Sequence, residues 1–295
     1  MYLVTGATGS LGRRIVKRLC EQEQPVRAFC RLNAHYGDLE SRGAEVLIGD
    51  LLNPRDIERS LQGVKYVISA HGTNEASTAS AQDIDYRANI DLIDSAKASG
   101  AEHFTFISVL GADRGYEDSP VFKAKREVEK YLLRGDLPYT ILRPSGFANN
   151  LIPLAERLKQ TGTYLLIGDP VSRTSIVSTD DLAYIAAIAA RTEAARNQVF
   201  AVGGPDVLQR QDIPKVFGQV FQREPLIINV PLPVLDGVRT ALGFVNPELK
   251  RNLGTLRTLL ANEFFCTAEE VARLERTFDL KLESLESFTR RYVSV

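Results

Sequence analysis

Cysteine is scarce in this chain of 295 residues. Cys20, Cys30 and Cys266 form no CxxC pair and no ligand-like cluster with the three histidines, which argues against a zinc site and against a disulfide framework. A reducing compartment suits such usage. Net charge is nearly absent too: 36 Lys and Arg stand against 37 Asp and Glu, so no overall field draws the chain to nucleic acid or to an anionic membrane, and direct nucleic-acid contact is not expected. No apolar run approaches the roughly 20 residues of a membrane span. An apolar strand begins at Tyr2 and leaves no room for a signal or transit peptide, so the sequence reads as cytoplasmic. Low-complexity stretches and internal repeats are missing, which leaves the function to a packed fold.

What is present is alternation. Short apolar runs at Tyr2–Thr5, Val26–Cys30, Glu45–Ile48, Tyr66–Ala70, Phe104–Ser108 and Tyr139–Arg143 are separated by helical patterns, the signature of βαβ units that build a parallel sheet. Their continuous apolar content suits strands covered on both faces. Leu11, Ile15, Val16, Leu19 and Cys20 form one stripe of a first helix, with Arg13, Arg14, Lys17 and Arg18 facing out. Further helices are expected near Ala81–Ser95, at Pro120–Arg134 and at Asp180–Arg191, the last with N-cap oxygens from Thr179 and Asp180, and a strand at Val199–Val202. From Pro205 the rhythm changes to a helix near Gln211–Phe221, a strand Leu226–Val230, a break at Pro231 and Pro233, and then mostly helix. Thr267 and Glu270 make a capping box, and Ser284 is expected to cap the last helix. The fold class is thus α/β: a doubly wound parallel sheet over residues 1–203, with 144–178 contributing to a substrate region, and a smaller, mostly helical lobe over 204–295.

Directly after the first strand stands Gly6-Ala-Thr8-Gly9-Ser10-Leu11-Gly12, leading into the amphipathic helix. Gly6 permits the tight turn, Gly9 lets backbone approach a pyrophosphate, Gly12 allows close helix–strand packing, and the helix N-terminus favours the anion, while Thr8 and Ser10 add hydroxyls. Strand, glycines and helix in this order are the fingerprint of a Rossmann dinucleotide site. The bland alternative, a glycine-rich turn without ligand, would not require that order. NAD-selective sites usually place an acid after the second strand; here the strand ends Phe29-Cys30-Arg31 with no acid, and the Arg31 fork suits a 2′-phosphate, so NADP is preferred to NAD. Read alone, Arg31 would be an ordinary surface arginine. Asp50, followed by Leu51, can accept from the adenine amino group or cap the helix after Pro54. Ala70, His71 and Gly72 are small enough, or near enough to the fourth strand's end, for a nucleotide to lie across them, His71 reading as a bystander.

The segments GATGSLG, the GDL after the third strand, FISVLGAD and YTILRPSGF resemble the NmrA-like branch of atypical short-chain dehydrogenases/reductases, closely from Met1 to about Gly204 and weakly beyond. The broader superfamily uses Ser, Tyr and Lys, the last two spaced Tyr-x-x-x-Lys on one helix face. No tyrosine here has lysine four residues later. By resemblance Ser108 takes the serine position and Lys125 the lysine position, both catalytic and cofactor-binding, whereas Val121 stands in the tyrosine's place. Phe122-Lys123-Ala-Lys125 is similar to the lone-lysine motif of isoflavone reductase-like relatives; the alternative is a solvated face beside Arg126, Glu127 and Lys130. Tyr116 on the preceding loop is a second, weaker acid candidate. Pro144, Ser145, Gly146 and Phe147 match the stretch that borders the nicotinamide in relatives, and Asn149 and Asn150 either orient substrate or shape a turn.

Two functions follow from the resemblance. One is an NADPH-dependent oxidoreductase acting on a small apolar carbonyl, enone or quinone. The other is a non-catalytic NADP-binding regulator or assembly factor, similar to photosystem II assembly-factor relatives, with Phe217, Phe221, Phe244, Phe264 and Phe265 offering a protein-partner surface unless they are core. Either is compatible with a monomer or a dimer.

Overall fold

Residues 1–73, 79–245 and 247–293 are described by a computed structural model. The strands are β1 (Tyr2–Thr5), β2 (Val26–Cys30), β3 (Glu45–Ile48), β4 (Tyr66–Ser69), β5 (His103–Ile107), β6 (Tyr139–Pro144), β7 (Thr163–Ile167), β8 (Arg173–Thr174), β9 (Gln198–Val202), β10 (Leu208–Gln209) and β11 (Leu226–Val230). Seven of them pair in the order β3-β2-β1-β4-β5-β6-β9, every neighbouring pair parallel. The chain winds outward from β1 in one direction and then from β4 in the other. That reversal opens a crevice at the carboxyl ends of β1 and β4, the place where ligands bind in such sheets.

The helices are α1 (Ser10–Glu21), α2 (Gly37–Glu40), α3 (Pro54–Ser60), α4 (Ala88–Ala98), α5 (Pro120–Arg134), α6 (Ile152–Thr161), α7 (Thr179–Ile188), α8 (Ile213–Phe221), α9 (Leu232–Val245), α10 (Pro247–Ala261), α11 (Ala268–Phe278) and α12 (Leu285–Val293). Because successive strand residues point to opposite faces, each strand must be apolar throughout to be covered twice. Val4, Ala28, Ile68 and Phe200 face α1, α7 and α11, meeting Ile15, Val16, Leu19, Leu182, Ile185 and Phe278. Leu3, Phe29, Val67, Phe104 and Ile141 face the other way, onto Ile57 of α3, Leu92 of α4, and Val128 and Leu132 of α5. Each such large apolar side chain contributes on the order of 2 kcal/mol by burial.

A second core gathers Leu158, Tyr164 and Leu166 from α6 and β7 with Phe217 of α8 and Phe288 of α12. Its sheet is the parallel pair β7–β11, registered from Thr163 opposite Leu226 to Ile167 opposite Val230. The sequence pattern announces none of α6, β7, β8 and β10. The expected helix at Ala81–Ser95 begins as a π-helical turn, Gln82–Arg87, before α4. Ser178, rather than Thr179 or Asp180, occupies the N-cap of α7. The Thr179 hydroxyl instead accepts from Asn149 N–H, and Asp180 pairs with Arg14 and Arg291. The capping box at Thr267 and Glu270 is present, and Ser284 Oγ accepts from Ser287 N–H at 3.1 Å. Among the described residues no helix is long and apolar enough to cross a membrane, and no group of His, Cys, Asp and Glu gathers as a metal site.

Candidate functional site

The glycine loop is built by contacts that admit no side chain. Gly6 has φ +68°, and a Cβ there would lie 2.6 Å from Ala70 O; one on Gly12 would run into Gly6 O. Both glycines let β1, β4 and the start of α1 close on one another. Gly9 N–H donates to Gly6 O at 2.9 Å, and Gly9 then sits at the N-cap of α1 with no side-chain cap and no acid in the first turn. The first-turn N–H groups are left for an anion, with Gly9 and Ser10 exposed beside them. Leu11 turns its side chain into the core, so only its backbone faces the loop. The Ser10 hydroxyl accepts from Arg14 Nη1 at 3.1 Å. These features fit a pyrophosphate.

A cleft of about 300 Å³ opens above this loop, lined by Gly6, Thr8 and Gly9, by Phe29 of β2 and Arg31 just after it, by Asp50 and Leu51, and by Ala70, His71 and Gly72. The residues singled out at the ends of β1 to β4 therefore share one wall. Asn53, not Asp50, caps α3, its Oδ1 accepting from Arg55 N–H at 3.2 Å. Asp50 Oδ1 accepts from Leu52 N–H at 2.9 Å, which fixes the turn at the cleft edge. His71 is buried with Nδ1 2.8 Å from Thr5 Oγ1 and 3.2 Å from Ser69 Oγ. Burial, aided by the Lys125 charge, pushes its pKa down to about 3, so the ring is neutral at any working pH.

The lysine helix contributes none of the residues that line this cleft. Ser119 caps α5, accepting from Phe122 N–H, and Pro120 fills its first turn. Lys123 is exposed and pairs with Glu117 at 3.2 Å, as a solvated face would. Lys125 is only 8% exposed: Nζ donates to Ile107 O at 2.8 Å, lies 5.1 Å from the Phe106 ring centre and stands 3.8 Å from Asp85 Oδ1. Burial lowers its pKa, opposed by the charges of Asp85 and Glu129. The Ser108 hydroxyl is donated to Glu129 Oε1, and Glu129 also receives Arg143 Nε at 2.9 Å. Ser108 and Lys125 thus lie on neighbouring elements, with Ser108 tied into a carboxylate–guanidinium network. Val121 is half-buried. The Tyr116 ring packs edge-on against Phe122, centres 5.3 Å apart, and against Phe264 at 5.8 Å.

The 144–147 stretch is held by backbone. Ser145 N–H donates to Val202 O and its hydroxyl to Ser175 O, while Val177 N–H donates to Gly146 O. Phe147 bridges to Val177 and packs partly on the main core. Asn149 Oδ1 accepts from Arg14 Nη2 at 2.8 Å, a tie to α1, and Asn150 is exposed. Phe217 and Phe264 are core; Phe221 and Phe265 are partly buried; the Phe244 side chain lies outside the described residues. Sequence reasoning missed Asp85, Asn89, Glu129 and Arg143. The signal for Glu129 was available: Phe122, Lys125, Val128, Glu129 and Leu132 share one helix face, placing two charges in a buried stripe.

The NAD(P)H-binding family model matches residues 6–193, more than half of the chain. Photosystem II assembly factor Ycf39 of Guillardia theta is 28% identical over 300 residues, covering 98% of this chain and 93% of that protein. NAD(P)H azoreductase of Xenophilus azovorans is 27% identical over 248 residues, covering 82% of each. Among solved structures, the NADPH-dependent quinone oxidoreductase QOR2 of Escherichia coli, complexed with NADPH, superposes with a TM-score of 0.78 at 19% identity, covering 99% of this chain and all of that one, a likeness of fold. With its glycine cradle and switch-point cleft in place, the chain belongs to the NAD(P)H-binding family.

Proposed function

We propose that the chain is an NADPH-dependent reductase of small, largely apolar carbonyl, enone or quinone molecules, working through Lys125 without a tyrosine partner. The observation that carries this reading is the burial of Lys125 at the carboxyl end of β5, its ammonium held by Ile107 O, while Lys123 on the same helix stays in solvent. A lysine desolvated in this way is uncommon unless it is used. When bound, the reduced nicotinamide supplies two electrons and a hydrogen to the substrate. The Lys125 ammonium stabilises negative charge building on a substrate oxygen, and Nζ–H can pass a proton to it and recover one from water. NADP is favoured over NAD because Arg31 borders the cleft where β2 ends and no acid stands in that strand. Azo and quinone acceptors, named for two of the proteins above, share the planar, apolar character of the proposed substrates.

One observation favours a second reading, a non-catalytic NADP-binding assembly factor. The likeness to Ycf39 runs through 98% of the chain, second lobe included, whereas that to the azoreductase spans 82%. A screen of quinones, enones and azo dyes for NADPH oxidation separates the two. Turnover of any class supports the reductase, and silence beside tight NADPH binding replaces it with the assembly factor.

A further inference from the structure

Asp85 is a carboxylate with no exposure at all, and it is not on the surface of any cleft described above. It lies in the π-helical turn, Gln82–Arg87, that precedes α4. Its Oδ2 accepts from Thr73 N–H at 3.0 Å and from the Thr73 hydroxyl at 2.6 Å. Its Oδ1 is buried with no hydrogen-bond partner and faces Lys125 Nζ at 3.8 Å. A buried carboxylate oxygen without a donor is costly, and π turns are rare and concentrate at functional sites. The turn is pinned rather than accidental: Asn89 Nδ2 donates to Asp85 O at 2.9 Å, and Asn89 Oδ1 accepts from Ser69 Oγ at 2.6 Å. Gly72 keeps the approach open, since a Cβ there would sit 2.9 Å from Asp85 Oδ1.

Among the described residues, the charged and titratable groups around Lys125 are few. On its own helix Glu129 is engaged by Arg143 and Ser108. From the segment after β4 comes His71, neutral, with Nε2 unpartnered. β5 contributes only the Ile107 carbonyl and the Phe106 ring. Among the described residues Asp85 is therefore the anion with an oxygen uncommitted toward the lysine. We infer that Asp85 is the positioning residue of Lys125: its buried charge keeps the lysine an ammonium, aimed at the cofactor side of β4 and β5. The inference rests on the reading of Lys125 as the working lysine, and its test does not use turnover.

Full-length protein carrying lysine labelled with carbon-13 at Cε, titrated by NMR, reports the protonation of Lys125 directly, its signal assigned by its loss in Lys125→Met. In Asp85→Asn the midpoint is expected to fall by at least about one pH unit. NADPH affinity, followed by fluorescence, should weaken from a correspondingly lower pH, by about tenfold at the pH where only the variant has lost its charge. An unchanged Lys125 midpoint overturns the inference, as does an affinity lowered by the same factor at every pH. If Asp85→Asn does not fold, Asp85→Asn/Lys125→Met should, because no charge is left buried alone; failure of the double variant also overturns it. A shifted midpoint in a protein that reduces nothing keeps the pair and rejects the reductase.

Discussion

Lys123 and Lys125 stand two positions apart on α5, which places them about 200° apart around the helix axis. One meets Glu117 in solvent and the other is enclosed with Asp85. Charged neighbours at Arg126, Glu127 and Lys130 left a solvated face as the alternative reading of both, and only the resemblance favoured Lys125. The stripe that includes Phe122, Val128 and Leu132 is what separates them, and its spacing is legible in the sequence itself. Asp85 was not legible: a π turn shifts the register by one residue, so helical periodicity does not place it. Arg31 borders the cleft from its edge. Arg31→Ala is expected to weaken NADPH by about ten- to a hundredfold, the worth of a charge-assisted contact, with NADH hardly changed. Calorimetric titration of both nucleotides checks this, and equal losses would contradict the 2′-phosphate role.

At the level of elements, α5 was readable from end to end because Ser119 and Pro120 mark its start and Gly135 follows its last residue. The strands of the large sheet were readable because burial makes most of them mainly apolar runs, even with Arg27 in β2 and Glu45 opening the partly buried β3. β7 escaped because it is stabilised by a partner, β11, distant in sequence. Nothing local announces such a pairing. The α7 cap was misread for a related reason: Asp180 has the right residue type, but Arg14 and Arg291 use its oxygens to join α1, α7 and α12. The Ser119 cap makes a quantitative expectation. Ser119 Oγ accepts from Phe122 N–H and lies 2.8 Å from Thr255 Oγ1 of α10. Ser119→Ala should cost about 1 kcal/mol of stability, read from urea unfolding. A loss below a few tenths would mean that neither contact holds α5 in place.

Over the whole molecule, stability should depend on pH in a definite sense. Burial holds His71 down at about 3 and His103 at about 4, against 6.5 for an ordinary histidine. The unfolded chain therefore takes up these protons first, and the contribution of both residues is complete above about pH 6.5 and lost as the pH falls toward 4 and 3. Asp181 acts oppositely: burial raises it to about 6 from 3.8, so its contribution is present at low pH and lost as the pH rises through 6. Near pH 5 two groups oppose one, leaving about one extra proton on the unfolded state and a slope on the order of 1 kcal/mol per pH unit, stability rising with pH. Melting followed from pH 4.5 to 7 should show this. His71→Gln or His103→Gln flattens the slope and Asp181→Asn steepens it; a melting temperature that falls across this range would contradict the assignment. The two functions meet in one chain, since a likeness running through 98% of it fits an assembly factor and a buried lysine beside a dinucleotide fold fits a reductase. They part at Lys125. With a substrate in hand, kcat for NADPH oxidation by Lys125→Met beside NADPH affinity decides: a fall in kcat of about a hundredfold or more in a variant that still binds NADPH is expected, and an unchanged kcat would contradict the lone-lysine reductase.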